Sequence, residues 1–230
     1  MADEFDELPG VDDPDQFHTG VDAMLEFLKN KVAMPAEDFY ALEDEARARA
    51  FTVSGVTDLD LLSDVWEAIE SAAKNGETLE DFRERIGERL EAEWGGDDPT
   101  TLDNIFRTNL QTAYSAGRQV ENAGVRDTHP YLAYGVVEDS RTSDICLQLI
   151  GLVVAQDSDF AASHHPPLHF SCRTDEVAIT EAEARERGID EELPDVEADD
   201  GFGDPLLPLD IDISTRPPEL ASLYEMKVRA

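Results

Sequence analysis

The sequence predicts an α+β protein with a helical N-terminal half, a small mixed β module after it, and extended acidic termini. Three observations predict this class. Apolar residues recur every three or four positions between residues 17 and 124, aromatic and β-branched residues cluster after Pro130, and acidic stretches flank both regions. With 41% of its 230 residues hydrophobic, the chain can also bury a core.

The composition changes along the chain predict five regions. Each differs from its neighbours in acidity, in proline content or in the period of its apolar residues. The regions are an acidic flexible arm (1–16), a helical region (17–124), a small α+β module (125–180), an acidic linker (181–205) and an extended apolar tail (206–230).

The helical region predicts a series of amphipathic helices bounded by capping residues. Thr57 with Asp60 and Thr78 with Asp81 have the spacing of a capping box, and Asn75-Gly76 is a typical helix stop. The predicted helices cover residues 21–34, 35–50, 57–76, 78–96 and 101–124.

The module predicts three short strands and two short helices. The strands are expected at residues 131–137, 152–155 and 176–180, where β-branched and aromatic residues concentrate. Thr142 is expected to cap a short helix that carries Cys146, and another short helix is expected from Glu181 to Gly188. Between the second and third strands, residues 156–173 form a loop rich in histidine and proline.

The strong acidity of the chain argues against general DNA binding. The formal net charge is −35, and four of the 18 basic residues are lysines. Acidic residues spread along the whole chain are typical of proteins adapted to molar salt, where charges are screened beyond about 3 Å. No basic stripe is present, although Arg107, Arg118 and Arg126 are a candidate local patch. The first residues are acidic, unlike those of a signal peptide, and no apolar run is long enough to span a membrane. We therefore expect neither secretion nor membrane insertion.

The cysteines and histidines of the module predict a zinc site. His169 and Cys172 lie three positions apart, Cys146 comes from the preceding short helix, and His165 or its neighbour His164 supplies the fourth ligand. Zinc accepts such a mixture of sulfur and nitrogen in a tetrahedral site. A Cys146–Cys172 disulfide and two ordinary buried thiols are the alternatives.

The same loop could in principle belong to a metal-dependent hydrolase or nuclease. His164, His165 and His169 would then act with Asp159 or Asp175. The two prolines between the histidines exclude the helix on which paired metal ligands and a base usually lie. We therefore assign no catalytic residue and expect a protein that is not an enzyme.

The polar residues around these segments predict contacts that build the fold. Arg141 is expected to bridge Asp139 and a neighbouring acid. On the long helix, Arg107 is expected to pair with Asp103, and Asn109 to hydrogen-bond toward the strand module.

Several motifs, in order, resemble the phage Mu F-like family of minor head (head morphogenesis) proteins of tailed phages. They are FRTNLQTAYSAGR (106–118), EDSRTSDICLQLIGLVV (138–154) and PPLHFSCRT (166–174), and the helical stretch 46–86 is also similar. Ser143 and Thr174 stand where the family often has cysteine, and Phe170 stands where it has proline. The resemblance implies that Ser143 and Thr174 lie near each other, and it raises the odds of a metal-free, hydrogen-bonded version of the site.

The resemblance implies a structural role in a virus particle. Proteins of this family are minor capsid components that associate with the portal protein and aid head assembly and DNA delivery. The expected location is the virion head near the portal vertex, and the host cytoplasm during assembly. The major capsid protein and packaged DNA are further possible partners, DNA being disfavoured by the charge. With the acidic composition, the expected source is a tailed virus of an extreme halophile, plausibly an archaeon.

The apolar tail is the expected partner-binding segment. Its anchors are four apolar residues near the C-terminal end of the sequence, Leu220, Leu223, Tyr224 and Met226. Apolar side chains behind an acidic linker need a surface to cover them. The tail therefore docks on the portal protein or packs back on its own domain.

Overall fold

The computed structural model describes residues 19–29, 31–41, 50–53, 56–94 and 99–206. It confirms the α+β class: helices dominate the first half, and a small antiparallel sheet follows them. The acidic arm (1–16) and nearly all of the apolar tail (206–230), with its four predicted anchors, lie outside the described residues. The division into five regions stays a prediction.

The helical region consists of helices joined by short connections and one small strand pair. Its elements are α1 (Thr19–Lys29), β1 (Val32–Ala33), α2 (Ala36–Tyr40), β2 (Ala50–Phe51), α3 (Leu59–Asn75), α4 (Leu79–Phe82), a π-helical turn (Arg83–Gly87), α5 (Glu88–Trp94) and α6 (Pro99–Gly124). The first predicted helix ends early, because Val32 and Ala33 pair in parallel with Ala50 and Phe51 instead of continuing it. The Phe51 ring thereby packs against the Trp66 ring in the core, at a tilt of 46°.

Two capping predictions have different outcomes. The Thr78–Asp81 capping box is confirmed, with both reciprocal hydrogen bonds present at the start of α4. The predicted N-cap of α3 was wrong by one residue, because Asp58 and not Thr57 accepts the hydrogen bond from the Leu61 amide. Gly76 ends α3 in the left-handed conformation, as the sequence predicts.

Helix α1 crosses α6 at an unusually short distance. A Cβ atom added to Gly117 would lie 2.2 Å from the carbonyl oxygen of Gly20. Ala113 and Ala116, on the same stretch of α6, are fully buried. The close crossing therefore requires small residues on α6.

A single apolar core joins α1, α3, the α4–α5 segment and α6. Trp66 fixes α3 against α1, because its indole N–H donates to the Leu28 carbonyl at 3.1 Å. The core includes Leu28, Leu62, Val65, Ile69, Phe82, Leu90 and Leu102.

The module is a three-stranded antiparallel sheet covered by short helices and a long loop. Its elements are β3 (Tyr131–Val136), α7 (Asp144–Leu147), β4 (Val153–Ala155), α8 (Asp159–Ser163), β5 (Thr174–Ile179) and α9 (Glu181–Arg187). The strand order is β4-β3-β5, with Leu132 opposite both Val154 and Ala178. All three predicted strands are confirmed to within two residues at each end.

Amide side chains on α6 join the helical region to the module. Asn122 accepts from the Ala178 amide at 3.0 Å, and Gln111 donates to the Thr174 carbonyl at 3.3 Å. The prediction that Asn109 makes this connection was wrong. Its side chain donates instead to Ile105 within its own helix, because it lies on a different face of α6.

The segment after α9 returns along the module. The Asp199 amide donates to Leu168, the Gly203 amide to Pro167, and the His165 amide to Gly203. The predicted acidic linker (181–205) thus contains hydrogen bonds to the loop that precedes β5. Among the described residues, no helix combines the length and apolar character that a bilayer crossing requires.

Candidate metal centre

Two cysteines and one histidine meet near the start of β5. Cys146 lies on α7, and His169 and Cys172 lie on the loop that leads into β5. The Cys146 sulfur is 3.1 Å from His169 Nε2 and 3.7 Å from the Cys172 sulfur. All three potential ligand atoms lie within 4.8 Å of one another. We call these three residues the Cys/His cluster.

Helix α7 places Cys146 by means of Ser143. The Ser143 hydroxyl caps the helix by accepting from the Cys146 amide at 3.2 Å, and it also contacts His169 Nε2 at 2.7 Å. The prediction that Thr142 is the cap was wrong. The Thr142 hydroxyl instead closes the preceding turn, accepting from the Asp139 amide and donating to the Val137 carbonyl.

The loop that carries His169 and Cys172 is clamped against α6 through Ser171. The Ser171 amide donates to Thr108 at 3.0 Å, and its hydroxyl donates to Asn104 at 2.8 Å. Ser171 has a φ of 57°, a left-handed conformation that residues other than glycine rarely adopt. The two hydrogen bonds to α6 offset the cost of this conformation.

Hydrogen bonds set the protonation of the cluster. The Phe170 carbonyl lies 2.8 Å from His169 Nδ1, so that nitrogen donates to it, and Nε2 faces Ser143 and Cys146. The hydrogen bond from the Cys172 thiol, with those from His169 and Ser143, lowers the pKa of Cys146 to about 3. The same pairing, with burial, raises the pKa of Cys172. Cys146 is therefore the thiol that ionises first.

The Thr174 hydroxyl completes the surroundings of the cluster. Thr174 is fully buried and faces Cys146, and its hydroxyl lacks a hydrogen-bond partner among the described residues. A buried hydroxyl without a partner is uncommon and needs an explanation. Ser143 and Thr174 thus both border Cys146, consistent with the expectation that these two positions are near each other.

The other two histidines of the loop lie elsewhere. His165 Nδ1 is 2.9 Å from both carboxylate oxygens of the buried Glu176. His164 stacks on Phe160, and its ring nitrogens contact the carbonyls of Phe160 and Val196. The structure therefore brings together three of the four predicted ligands, Cys146, His169 and Cys172, and does not bring His165 to them.

An ion pair next to the cluster was missed by the sequence analysis. Arg173 binds Asp139 through two hydrogen bonds of 2.7 and 2.6 Å, whereas the predicted partner Arg141 lies 3.4 Å from the same carboxylate. The hydrogen bonds from the Arg173 side chain hold the pKa of Asp139 well below its usual range. This pair ties the turn before α7 to the start of β5.

Two of the three arginines of the candidate patch, Arg107 and Arg118, lie on α6 and are paired with acids. Arg107 pairs with Asp103 at 2.6 Å, as predicted, and Arg118 lies beside both Glu121 and Asp175. Paired arginines have less charge available for phosphate groups.

The chain is similar to proteins of one viral family. The sequence model described as "Phage Mu protein F like protein" matches residues 63–177. The chain is 31% identical over 169 residues to the "Putative capsid assembly protein F" of Escherichia phage Mu, covering 66% of this chain and 38% of that protein. It is also 31% identical over 165 residues to the "Mu-like prophage FluMu F protein" of Haemophilus influenzae, covering 66% and 40% respectively.

The matched region is a larger share of this chain than of either relative. The chain spans about two fifths of the length of the relatives it matches. The family match includes α3, α6 and the sheet up to β5, so it covers both halves of the described fold. No solved structure is significantly similar to the chain.

Proposed function

The chain belongs to the phage Mu protein F-like family, and from this premise we propose that it is a minor capsid protein that acts in head morphogenesis of a tailed virus. The observation that carries the proposal is the family match across residues 63–177. Support comes from the phage Mu relative, whose name includes capsid assembly.

The proposed position of the protein is the portal vertex of the head. There it contacts the portal protein, aids head assembly, and contributes to DNA packaging or ejection. The major capsid protein is a second proposed contact. The support for portal binding is the apolar tail, whose four predicted anchors need a surface that covers them.

The proposed role is structural and not enzymatic. A hydrolase would need several of its histidines at one place, yet His164, His165 and His169 occupy three separate environments. His165 is bound to Glu176, the one carboxylate that is buried among the described residues. These observations support a structural role for the histidine-rich loop before β5.

The proposed working environment is molar salt. A net charge of −35 destabilises a compact chain of 230 residues in dilute buffer, where the repulsion is weakly screened. Four lysines in the whole chain fit the same environment. We therefore propose that the virus infects a halophilic archaeon.

Coexpression with the portal protein of the same virus tests the proposed partner. We expect the two proteins to copurify in molar salt. Replacing the tail anchors Leu220, Leu223, Tyr224 and Met226 together by alanine should abolish copurification. A matched control replaces Asp210 and Asp212 in the same tail by asparagine, and it should leave the complex intact because apolar contacts carry the affinity at high salt. Portal protein recovered without this chain would contradict the proposal.

A further inference from the structure

We propose that Cys146, His169 and Cys172 bind one zinc ion, whose fourth position holds a water molecule beside Ser143. This site differs from the one that the sequence predicts, because it excludes His165 and leaves one position without a protein ligand. The ion joins α7 to the loop before β5, and that loop is in turn fixed on α6.

The distances within the cluster suit a tetrahedral zinc ion. Bonds of about 2.3 Å to sulfur and about 2.0 Å to nitrogen place two sulfur ligands about 3.8 Å apart, and sulfur and nitrogen ligands about 3.5 Å apart. The observed sulfur–sulfur distance is 3.7 Å, and the observed sulfur–nitrogen distance is 3.1 Å. The two distances from the Cys146 sulfur thus lie within about 0.4 Å of the tetrahedral values, and all three ligand atoms lie within 4.8 Å of one another.

The orientation of His169 is that of a metal ligand. A histidine that binds a metal usually donates its other ring N–H to a carbonyl or a carboxylate, which fixes the ligating nitrogen. His169 Nδ1 donates in this way to the Phe170 carbonyl at 2.8 Å. Its Nε2 atom lies 3.1 Å from the Cys146 sulfur and is the ring nitrogen left to bind a metal ion, which would displace any proton on it.

Two hydroxyl groups lie beside the three ligands, that of Ser143 next to His169 and that of Thr174 next to Cys146. Ser143 is 2.7 Å from His169 Nε2, and the buried Thr174 hydroxyl lacks a hydrogen-bond partner among the described residues. A water molecule on the ion would hydrogen-bond to both hydroxyl groups. Bound water of this kind is the usual solution for an orphaned buried polar atom.

The ligand chemistry favours zinc over other common ions. Two thiolates and an imidazole are soft to intermediate ligands, which suit zinc and not magnesium or calcium. Cys146 and Cys172 are only 2% and 3% exposed, whereas His169 is half-buried, so an ion enters from the histidine side. The buried carboxylate of Glu176 is bound to His165 and is not placed to act as a base at the ion. We therefore assign the ion a structural role.

Zinc content and affinity of the full-length protein test this ligand set. We expect about one zinc per chain for the wild type and for His165→Gln, which keeps an N–H donor for Glu176. His169→Asn and Cys172→Ser should each hold less than about 0.1 zinc per chain. Content is measured by elemental mass spectrometry after gel filtration, and affinity by competition with a chelator. Tryptophan fluorescence and circular dichroism verify the fold of each variant.

A gain-of-binding variant keeps the test decisive even where a ligand variant fails to fold. Ser143→Cys places a third sulfur at the fourth position, since the Ser143 hydroxyl already lies 2.7 Å from His169 Nε2. We expect it to bind zinc at least about tenfold more tightly than the wild type. Cobalt loaded into this variant should give the intense visible absorption of a tetrahedral thiolate complex.

Three results would overturn the proposal. The first is a wild type that holds no zinc when it is purified with zinc present. The second is loss of zinc in His165→Gln but not in His169→Asn. The third is a native Cys146–Cys172 disulfide without bound metal, detected as a mass lower by two hydrogens.

The proposed link to α6 has a test of its own. The Ser171 amide donates to Thr108 on α6, so its hydrogen exchange reports how firmly the loop is held. We expect this amide to exchange at least about tenfold faster after zinc is removed with a chelator. Equal exchange rates with and without zinc would show that the ion does not stabilise the junction.

Discussion

Replacing Gly117 by alanine tests whether α1 and α6 cross as closely as the structure shows. The added methyl group would lie 2.2 Å from the Gly20 carbonyl oxygen and 3.3 Å from the Met24 Cβ atom. Since the nearest atom belongs to the backbone, α1 must move by about 1 Å to restore an ordinary contact distance. Overpacking of this kind costs about 1–3 kcal/mol, while alanine in a helix gains about 1 kcal/mol over glycine. A clash with backbone belongs at the upper end, so we expect a net loss of about 2 kcal/mol.

The matched control is Gly124→Ala, in the same helix. A methyl group at Gly124 has nothing within 4 Å, so this variant should be as stable as the wild type or slightly more stable. Urea denaturation followed by tryptophan fluorescence measures both free energies of unfolding. Trp66 reports the docking of α1 directly, because its indole is buried and bonded to the Leu28 carbonyl. A Gly117→Ala protein that is as stable as Gly124→Ala would refute the close crossing.

Three further predictions follow from the contacts of the fold. Asn122→Ala removes the side chain that accepts from the Ala178 amide, so it should lower the free energy of unfolding by about 1–3 kcal/mol in urea denaturation. Asn109→Ala, which loses a hydrogen bond within its own helix, should lower it clearly less. Equal losses would contradict the assigned contacts. Asp139→Asn should have a lower melting temperature than the wild type at pH 7. This difference should shrink as the pH falls below about 4, because the charged carboxylate stabilises the fold and the folded-state pKa of Asp139 is lowered. A difference that is constant with pH would refute the pairing with Arg173. Raising the salt concentration from 0.1 M to 1 M shortens the screening length from about 10 Å to about 3 Å. Because this weakens the repulsion between acidic residues, the melting temperature should rise by at least about 2–4 °C. A fall in melting temperature would contradict the proposed adaptation to salt.

Features set by neighbouring residues were predictable from the sequence. The Thr78–Asp81 capping box and the stop at Gly76 depend on contacts within one turn, and both are confirmed. The strands of the module were predictable because their β-branched and aromatic residues lie between clear turn signals. Competition between adjacent capping residues was harder: Thr57 and Asp58 both suit the position, and the backbone at Asp58 decides it.

Features that depend on distant partners were not predictable. Asn109 and Asn122 both lie on α6, and only the position of β5 shows which one meets a strand. Arg173 and Asp139 are 34 positions apart, so their pairing has no local signal.

The candidate site shows the same division between local and distant features. Cys146, His169 and Cys172 do come together, as their residue types suggest. His165 lies only four positions from His169, yet it pairs with Glu176 in another part of the module. Sequence spacing therefore identified three residues that lie together, but it placed His165 with them incorrectly.

The most direct test of the central proposal is quantitative mass spectrometry of purified particles. DNA-filled heads and procapsids are isolated from the virus or induced prophage that encodes the chain, and its amount is scaled to the portal protein. A minor head protein at the portal vertex predicts a fixed ratio, from a few copies per head up to about one chain per portal subunit. Absence of the chain from both filled heads and procapsids would contradict the proposed function.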